Sequence, residues 1–206
     1  MRSRVITATL AIAVAATTAS VALAGPAEAS AAHRARPAAA SLSGTTTVTT
    51  AQGIAPTLLK AGILPLPVPD TRLGLRLFPY LAVSYGFPIT GGNPNLSGPS
   101  SDILHRGGID FVSLRGKSLE IGKFDVSLAD KKVYATQVNF AAARIPVLDL
   151  DFSGLVVKQR NGTTNLSGIT ARLDPAAAGA LNSTFGTALP ADGSLVFGSV
   201  KVTLKS

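Results

Sequence analysis

Val196-Phe197-Gly198-Ser199-Val200-Lys201-Val202-Thr203-Leu204-Lys205 is the stretch that decides the fold. Val196, Gly198, Val200, Val202 and Leu204 share one parity, and Lys201, Thr203 and Lys205 share the other. A period of two belongs to a strand with one buried face. The pattern recurs upstream. Leu73, Leu75 and Leu77 alternate with Gly74 and Arg76, and Leu81, Val83, Tyr85 and Phe87 alternate with Ala82, Ser84 and Gly86. Ile109 and Phe111 begin another strand, and Leu148, Leu150 and Phe152 alternate with Asp149 and Asp151. Between them, Leu119 and Ile121 are followed by Phe124, Val126 and Leu128, a parity flip across Gly122-Lys123 of the kind a β-bulge produces. Val156-Val157-Lys158 leads into Asn161-Gly162, which suits a primed hairpin turn, and the chain returns through Leu166, Ile169, Ala171 and Leu173. Strands at this spacing predict a mainly β fold, an antiparallel sandwich or barrel.

Two short helices interrupt the strands, at about 56–61 and 175–185. Asp174-Pro175 supplies a capping acceptor and a proline at the first helical position, and Gly186 ends the run. Ala55-Pro56 starts a shorter helix that Gly62 stops. Each helix follows a strand, Thr45 to Thr50 in one case and Ile169 to Leu173 in the other, so the two halves also read as a weak internal duplication.

The N-terminus carries a different signal. Arg2 and Arg4 precede an uncharged run from Val5 to Ala24, and two small-x-small motifs follow: Ala22-Leu23-Ala24 before Gly25 and Ala27-Glu28-Ala29 before Ser30. A basic region, an apolar region and such a motif define a secretory signal. Residues 1–29 are therefore expected to be removed, with cleavage after Ala29 or Ala24. An uncleaved anchor is the alternative, since roughly twenty apolar residues span a bilayer. The Ala- and Thr-rich composition favours processing. Residues 30–43, rich in Ala and Pro, read as a disordered arm, and 44–206 as a single β-rich domain.

The chain has 19 basic and 11 acidic residues and a formal net charge of +8. Its cations are dispersed and tryptophan is absent, so a nucleic-acid surface with stacking aromatics is not indicated. A cell-envelope component or a small ligand is the expected partner. Cysteine is absent, which excludes disulfides, thiolate metal sites and a thiol nucleophile. An exported, Ala-rich chain that needs no disulfides fits a bacterial origin. About 165 residues suffice for one core without covalent help. Asn95, Asn161, Asn165 and Asn182 stand in sequons, which matter only in a eukaryotic secretory route.

Catalytic patterns are thin. Asp149 and Asp151, two apart on a strand, share a face at about 6.6–7 Å, a spacing inverting glycosidases use. The same pair is the wet face of an amphipathic strand, and as a calcium site it lacks further oxygen ligands. A serine triad would have to use His105, because His33 lies in the arm, and no Gly-x-Ser-x-Gly elbow is present. No metal site is indicated.

Pro88-Ile89-Thr90-Gly91-Gly92, then Ile103-Leu104-His105-Arg106-Gly107-Gly108-Ile109-Asp110-Phe111, then Ile121 to Leu128 resemble a pattern in secreted actinobacterial domains akin to the HtaA-type haem-uptake domain. Ile145-Pro146-Val147-Leu148-Asp149-Leu150 and the Leu-Asn-Ser-Thr-Phe-Gly run at 181–186 are similar to the same group. The resemblance implies a β-rich surface domain that binds haem through a tyrosine, with a histidine, here His105, bonded to it. The family's aromatic N-terminal helix has no counterpart, since 55–61 contains no tyrosine. Tyr80, Tyr85 and Tyr134 are thus the candidates for the ligand. Tyr85 shares parity with core residues, Tyr134 shares parity with Val138 and Phe140, and Tyr80 is the freest. His105, beside Arg106 and two glycines, also reads as a turn histidine bonded to backbone. The leading expectation is an exported non-enzymatic binding or structural domain of the envelope or extracellular space. A haem-binding protein of the HtaA type is the alternative, and a carboxylate hydrolase using Asp149 and Asp151 a remote one.

Overall fold

The computed structural model describes residues 42–93 and 101–205; the signal segment, all but the end of the arm, and the Asn95 sequon lie outside the described residues. In chain order the elements are β1 (Ser43–Thr50), α1 (Ile54–Lys60), β2 (Ile63–Pro67), β3 (Arg72–Arg76), β4 (Ala82–Asn93), β5 (Asp102–His105) and β6 (Gly108–Ser113). They continue as β7 (Ser118–Ser127), β8 (Lys132–Val138), β9 (Ala141–Asp151), β10 (Val156–Arg160), β11 (Thr163–Leu173), α2 (Pro175–Phe185) and β12 (Val196–Lys205). β1 begins at Ser43, so strand pairing takes the last residue assigned to the arm.

Eight strands close on themselves in the order β1-β4-β5-β7-β8-β9-β11-β12, every neighbour antiparallel and β12 returning to β1. The fold is therefore a closed barrel rather than an open sandwich. β6 pairs with the first half of β7 and β2 pairs with β6, while β3 flanks β4 and β10 flanks β11. Closure removes the edges of the eight-stranded barrel, and only the flanking β2, β3 and β10 keep a single partner each. Inward parity carries the core: Val200, Val202 and Leu204 of β12, Leu166, Ile169 and Ala171 of β11, and Phe87 and Ile89 of β4 are all buried.

The strand directions give the barrel two distinct ends. At one, which we call the helical end, lie α1 after β1, the β3–β4 connection, the β6–β7 turn, the β8–β9 turn and α2 after β11. The other end carries the β7–β8 turn and the β10 hairpin. α2 closes the helical end, with Ala177, Ala178 and Leu181 buried against the core. Its start is as the sequence predicts: the Asp174 side chain accepts from the Ala176 N–H at 2.8 Å, and Gly186 (φ 71) ends it.

Four expectations need correction. α1 starts at Ile54, not Pro56, because Ile54 and Ala55 are drawn into the core. Pro56 still falls in the first turn, where N–H groups have no helical partner. Leu73 and Leu75 are exposed, as is Leu77 beyond them: β3 pairs only with β4, and no second layer covers it. Gly91-Gly92, which the resemblance casts as a glycine-bearing turn, is strand, held within β4 against β5. The parity flip of β7 falls on Lys123, whose φ is 51, without a register shift against β8. The chain turns there as β7 changes partner from β6 to β5, so that Leu119, Ile121, Phe124 and Val126 all face inward. The Asn161-Gly162 turn is as predicted, both residues having positive φ (48 and 70) between Arg160 and Thr163.

One glycine marks a close strand approach. A Cβ on Gly198 would stand 2.1 Å from the Thr49 carbonyl oxygen, where β12 meets β1. Gly198→Ala is expected to push these strands apart and destabilise the barrel by about 2 kcal/mol. Urea unfolding checks this, and an unchanged midpoint would refute it.

Candidate functional site

The interior of the barrel is lined almost wholly by Val, Ile, Leu, Phe and Ala, and holds a cavity of about 100 Å³. Two polar side chains face it, Thr46 from β1 and His105 from β5, and they bond each other. His105 Nε2 lies 2.7 Å from Thr46 Oγ1, and Nδ1 lies 3.2 Å from the Phe124 carbonyl oxygen. A carbonyl only accepts, so Nδ1 carries the proton and donates to Phe124. Nε2 therefore accepts from the Thr46 hydroxyl. Both side chains are buried, at 5% and 3% exposure. Burial pushes the His105 pKa down to about 4, against the effect of its backbone hydrogen bonds. At neutral pH the pair is a neutral dipole in an apolar wall.

The location follows from parity. Ile89 of β4 pairs with His105 and Phe87 pairs with Thr46, so the four side chains share the inward face. His105 is a strand residue, not a turn residue. Thr46 escaped the sequence reading, although it stands on the same parity as Val48 and Thr50 in a Thr-rich run. A small polar residue on an inward parity is the signal that marks it.

The tyrosines lie elsewhere. Tyr85 is buried beside Phe87, with centroids 6.5 Å apart, but its hydroxyl donates to the Pro65 carbonyl of β2 at 2.9 Å. Burial pushes its pKa up, which disfavours a phenolate. Tyr134 is on the outward parity of β8, bonded to Asp130 at 3.2 Å, with the Arg144 guanidinium 3.6 Å from its ring centroid. Tyr80 lies under Arg76 at 5.0 Å. None of the three hydroxyls bonds His105, whose two nitrogens are already taken. The cavity is also well below the ~300–1,000 Å³ of clefts that hold drug-sized ligands. Haem does not fit this interior.

Asp149 and Asp151 are separated by their partners. Lys132 Nζ bonds Asp149 and also donates to Asp174 Oδ2 at 2.7 Å, joining β8, β9 and the cap of α2. Asp151 accepts from the Ser153 N–H at 2.9 Å, a bond that holds its carboxyl below the usual range. A general acid needs the opposite shift. Among the described residues no cluster of three or more His, Asp or Glu side chains is placed to hold a metal ion. No protein-family model, curated protein or solved structure matches the chain.

Proposed function

We propose that the protein is an exported, non-enzymatic binding domain whose barrel interior takes a small apolar molecule, or the apolar end of a longer one. The observation that supports this is an apolar cavity in the barrel interior whose polar side chains form a neutral, internally satisfied His105–Thr46 pair. An eight-stranded barrel is wide enough to be filled by side chains or to hold one small ligand. Residual space of about 100 Å³ favours the second use. Dry cavities of this order, about 150 Å³ in an engineered case, admit benzene or xenon. The Thr46 hydroxyl is positioned to rotate from His105 to an acceptor on the ligand, leaving Nε2 to accept from a ligand donor.

Benzene-sized aryl compounds are expected to raise the unfolding temperature, with stabilisation reaching about 2.7 kcal/mol at 100 times Kd. They should also shift the methyl resonances of Val200, Leu166 and Ile169. Unmoved interior methyls under xenon or benzene would refute the reading. Hemin added in parallel separates it from haem uptake: a Soret band that persists in Tyr80→Phe but is lost in Tyr85→Phe would favour haem and sink the small-ligand proposal.

A further inference from the structure

Among the described residues, four large apolar side chains exceed all others in exposure: Leu77 (73%), Phe78 (85%), Leu114 (81%) and Phe140 (78%). All four belong to the helical end. Leu77 and Phe78 occupy the β3–β4 connection, Leu114 the β6–β7 turn and Phe140 the β8–β9 turn. They pack on no core, and water gains nothing by solvating them.

Cations accompany them. Arg76 precedes Leu77, Arg115 follows Leu114, and Lys60 and Lys117 stand in the neighbouring elements. Among the described residues none of these four has a carboxylate partner within 4.0 Å. Lys60, Arg115 and Lys117 moreover line one cleft of about 550 Å³ between α1, the β6–β7 turn and the segment after α2, and no carboxylate lines it. Lys117 Nζ donates to the Thr184 carbonyl at 2.7 Å, which fixes its charge at that rim.

We propose that the helical end of the barrel seats on an anionic lipid bilayer, with Leu77, Phe78 and Leu114 among the acyl chains and Arg76, Arg115 and Lys117 against headgroup phosphates. The charge is complementary, and the apolar groups stand on separate tips rather than on one flat face. A folded partner would need a surface shaped to receive each tip, whereas a fluid bilayer flows around them. Side chains that reach below the headgroups while adjacent cations stay among the phosphates form the usual interfacial arrangement. The β10 hairpin, at the other end, then points into the aqueous phase.

The absence of cysteine makes orientation directly measurable. The exported chain is labelled with an environment-sensitive fluorophore at Phe78→Cys or, separately, at Lys158→Cys in β10, and mixed with vesicles of phosphatidylglycerol and phosphatidylcholine. The label at 78 is expected to shift to the blue and be quenched by spin-labelled acyl chains, while the label at 158 stays unchanged. Adding Arg76→Gln and Arg115→Gln should weaken partitioning about 30-fold, at about fivefold per charge. Vesicles of phosphatidylcholine alone, or about 1 M salt, should weaken it similarly. No shift at 78, or equal shifts at 78 and 158, would overturn the proposal. So would a shift without lipid that grows with protein concentration, which would assign the tips to a second copy of the chain.

Discussion

Replacing Lys132 with methionine is expected to lower the unfolding free energy by about 3 kcal/mol. Its ammonium lies between Asp149 of β9 and Asp174, whose side chain is only 6% exposed. Those two carboxylates hold the Lys132 pKa well above its ordinary value, the hydrogen bond to Asp149 first. Without the cation, a buried carboxylate is left beside a second one. The two then repel across the space the ammonium filled, which drives them apart. Asp174 is also the cap that starts α2, with Oδ1 on the Ala176 N–H at 2.8 Å while Oδ2 receives Lys132. Moving it loosens the helix that closes the barrel. Lys132→Met should therefore speed hydrogen exchange at Ala178 and Leu181 beyond what the global loss explains. Adding Asp149→Asn should recover part of the stability, since one of the two stranded charges is gone. A single variant within about 0.5 kcal/mol of the parent, the range of an ordinary surface substitution, would refute this arrangement.

The mainly β fold class was legible because half-buried strands declare themselves by periodicity alone. Val200, Val202 and Leu204 on one parity, and Leu148 and Leu150 on another strand, state which face is inside before any pairing is known. The turn chemistry of Asn161-Gly162 and the cap at Asp174-Pro175 fix their elements within a few residues. Which strand lies beside which is a long-range property. Choosing the barrel required the β7–β8 hairpin and the β12–β1 pair together, and the second joins the two ends of the domain with no local pattern to announce it. The exposure of Leu73, Leu75 and Leu77 has the same origin. Alternation names a face but not whether anything covers it.

The site was half legible. His105 stood out as the histidine of the folded domain, but its partner Thr46 is 59 residues away. Only the β1–β4–β5 neighbourhood brings the two together. The family resemblance gave His105 a tyrosine, and the fold gives it a threonine and a backbone carbonyl. Asp149 and Asp151 were chosen for their spacing along one strand. Their chemistry is decided across strands, by Lys132 for the first and by the turn at Ser153 for the second. Spacing along a strand fixes the distance between two carboxylates, whereas burial and partners fix their protonation.

Acidification should act on the protein through His105. Its pKa is 6.5 as a free side chain and about 4 in the folded barrel, so the unfolded chain binds more protons than the folded one between those values. Stability from this group is complete above pH 6.5 and is lost as pH falls, its whole contribution of about 3 kcal/mol being gone near pH 4. The double substitution Thr46→Val with His105→Phe removes both polar side chains and nearly preserves volume. At pH 7 its cost should be confined to the Phe124 carbonyl, which loses the Nδ1–H donor, since the Thr46 hydroxyl and the imidazole leave together. Its stability should then fall less than that of the parent, by about 3 kcal/mol, between pH 7 and pH 4. His105→Phe alone leaves the Thr46 hydroxyl buried without a partner and should be less stable than the double variant at every pH. Urea unfolding at four pH values measures all three proteins, and the imidazole resonances give the folded pKa directly. A His105 that titrates near 6.5, or equal pH slopes in parent and double variant, would show that water reaches the barrel interior. Under the proposed function an apolar ligand would bind the form in which His105 is neutral, so its release should follow the same proton and binding should weaken as pH falls toward 4.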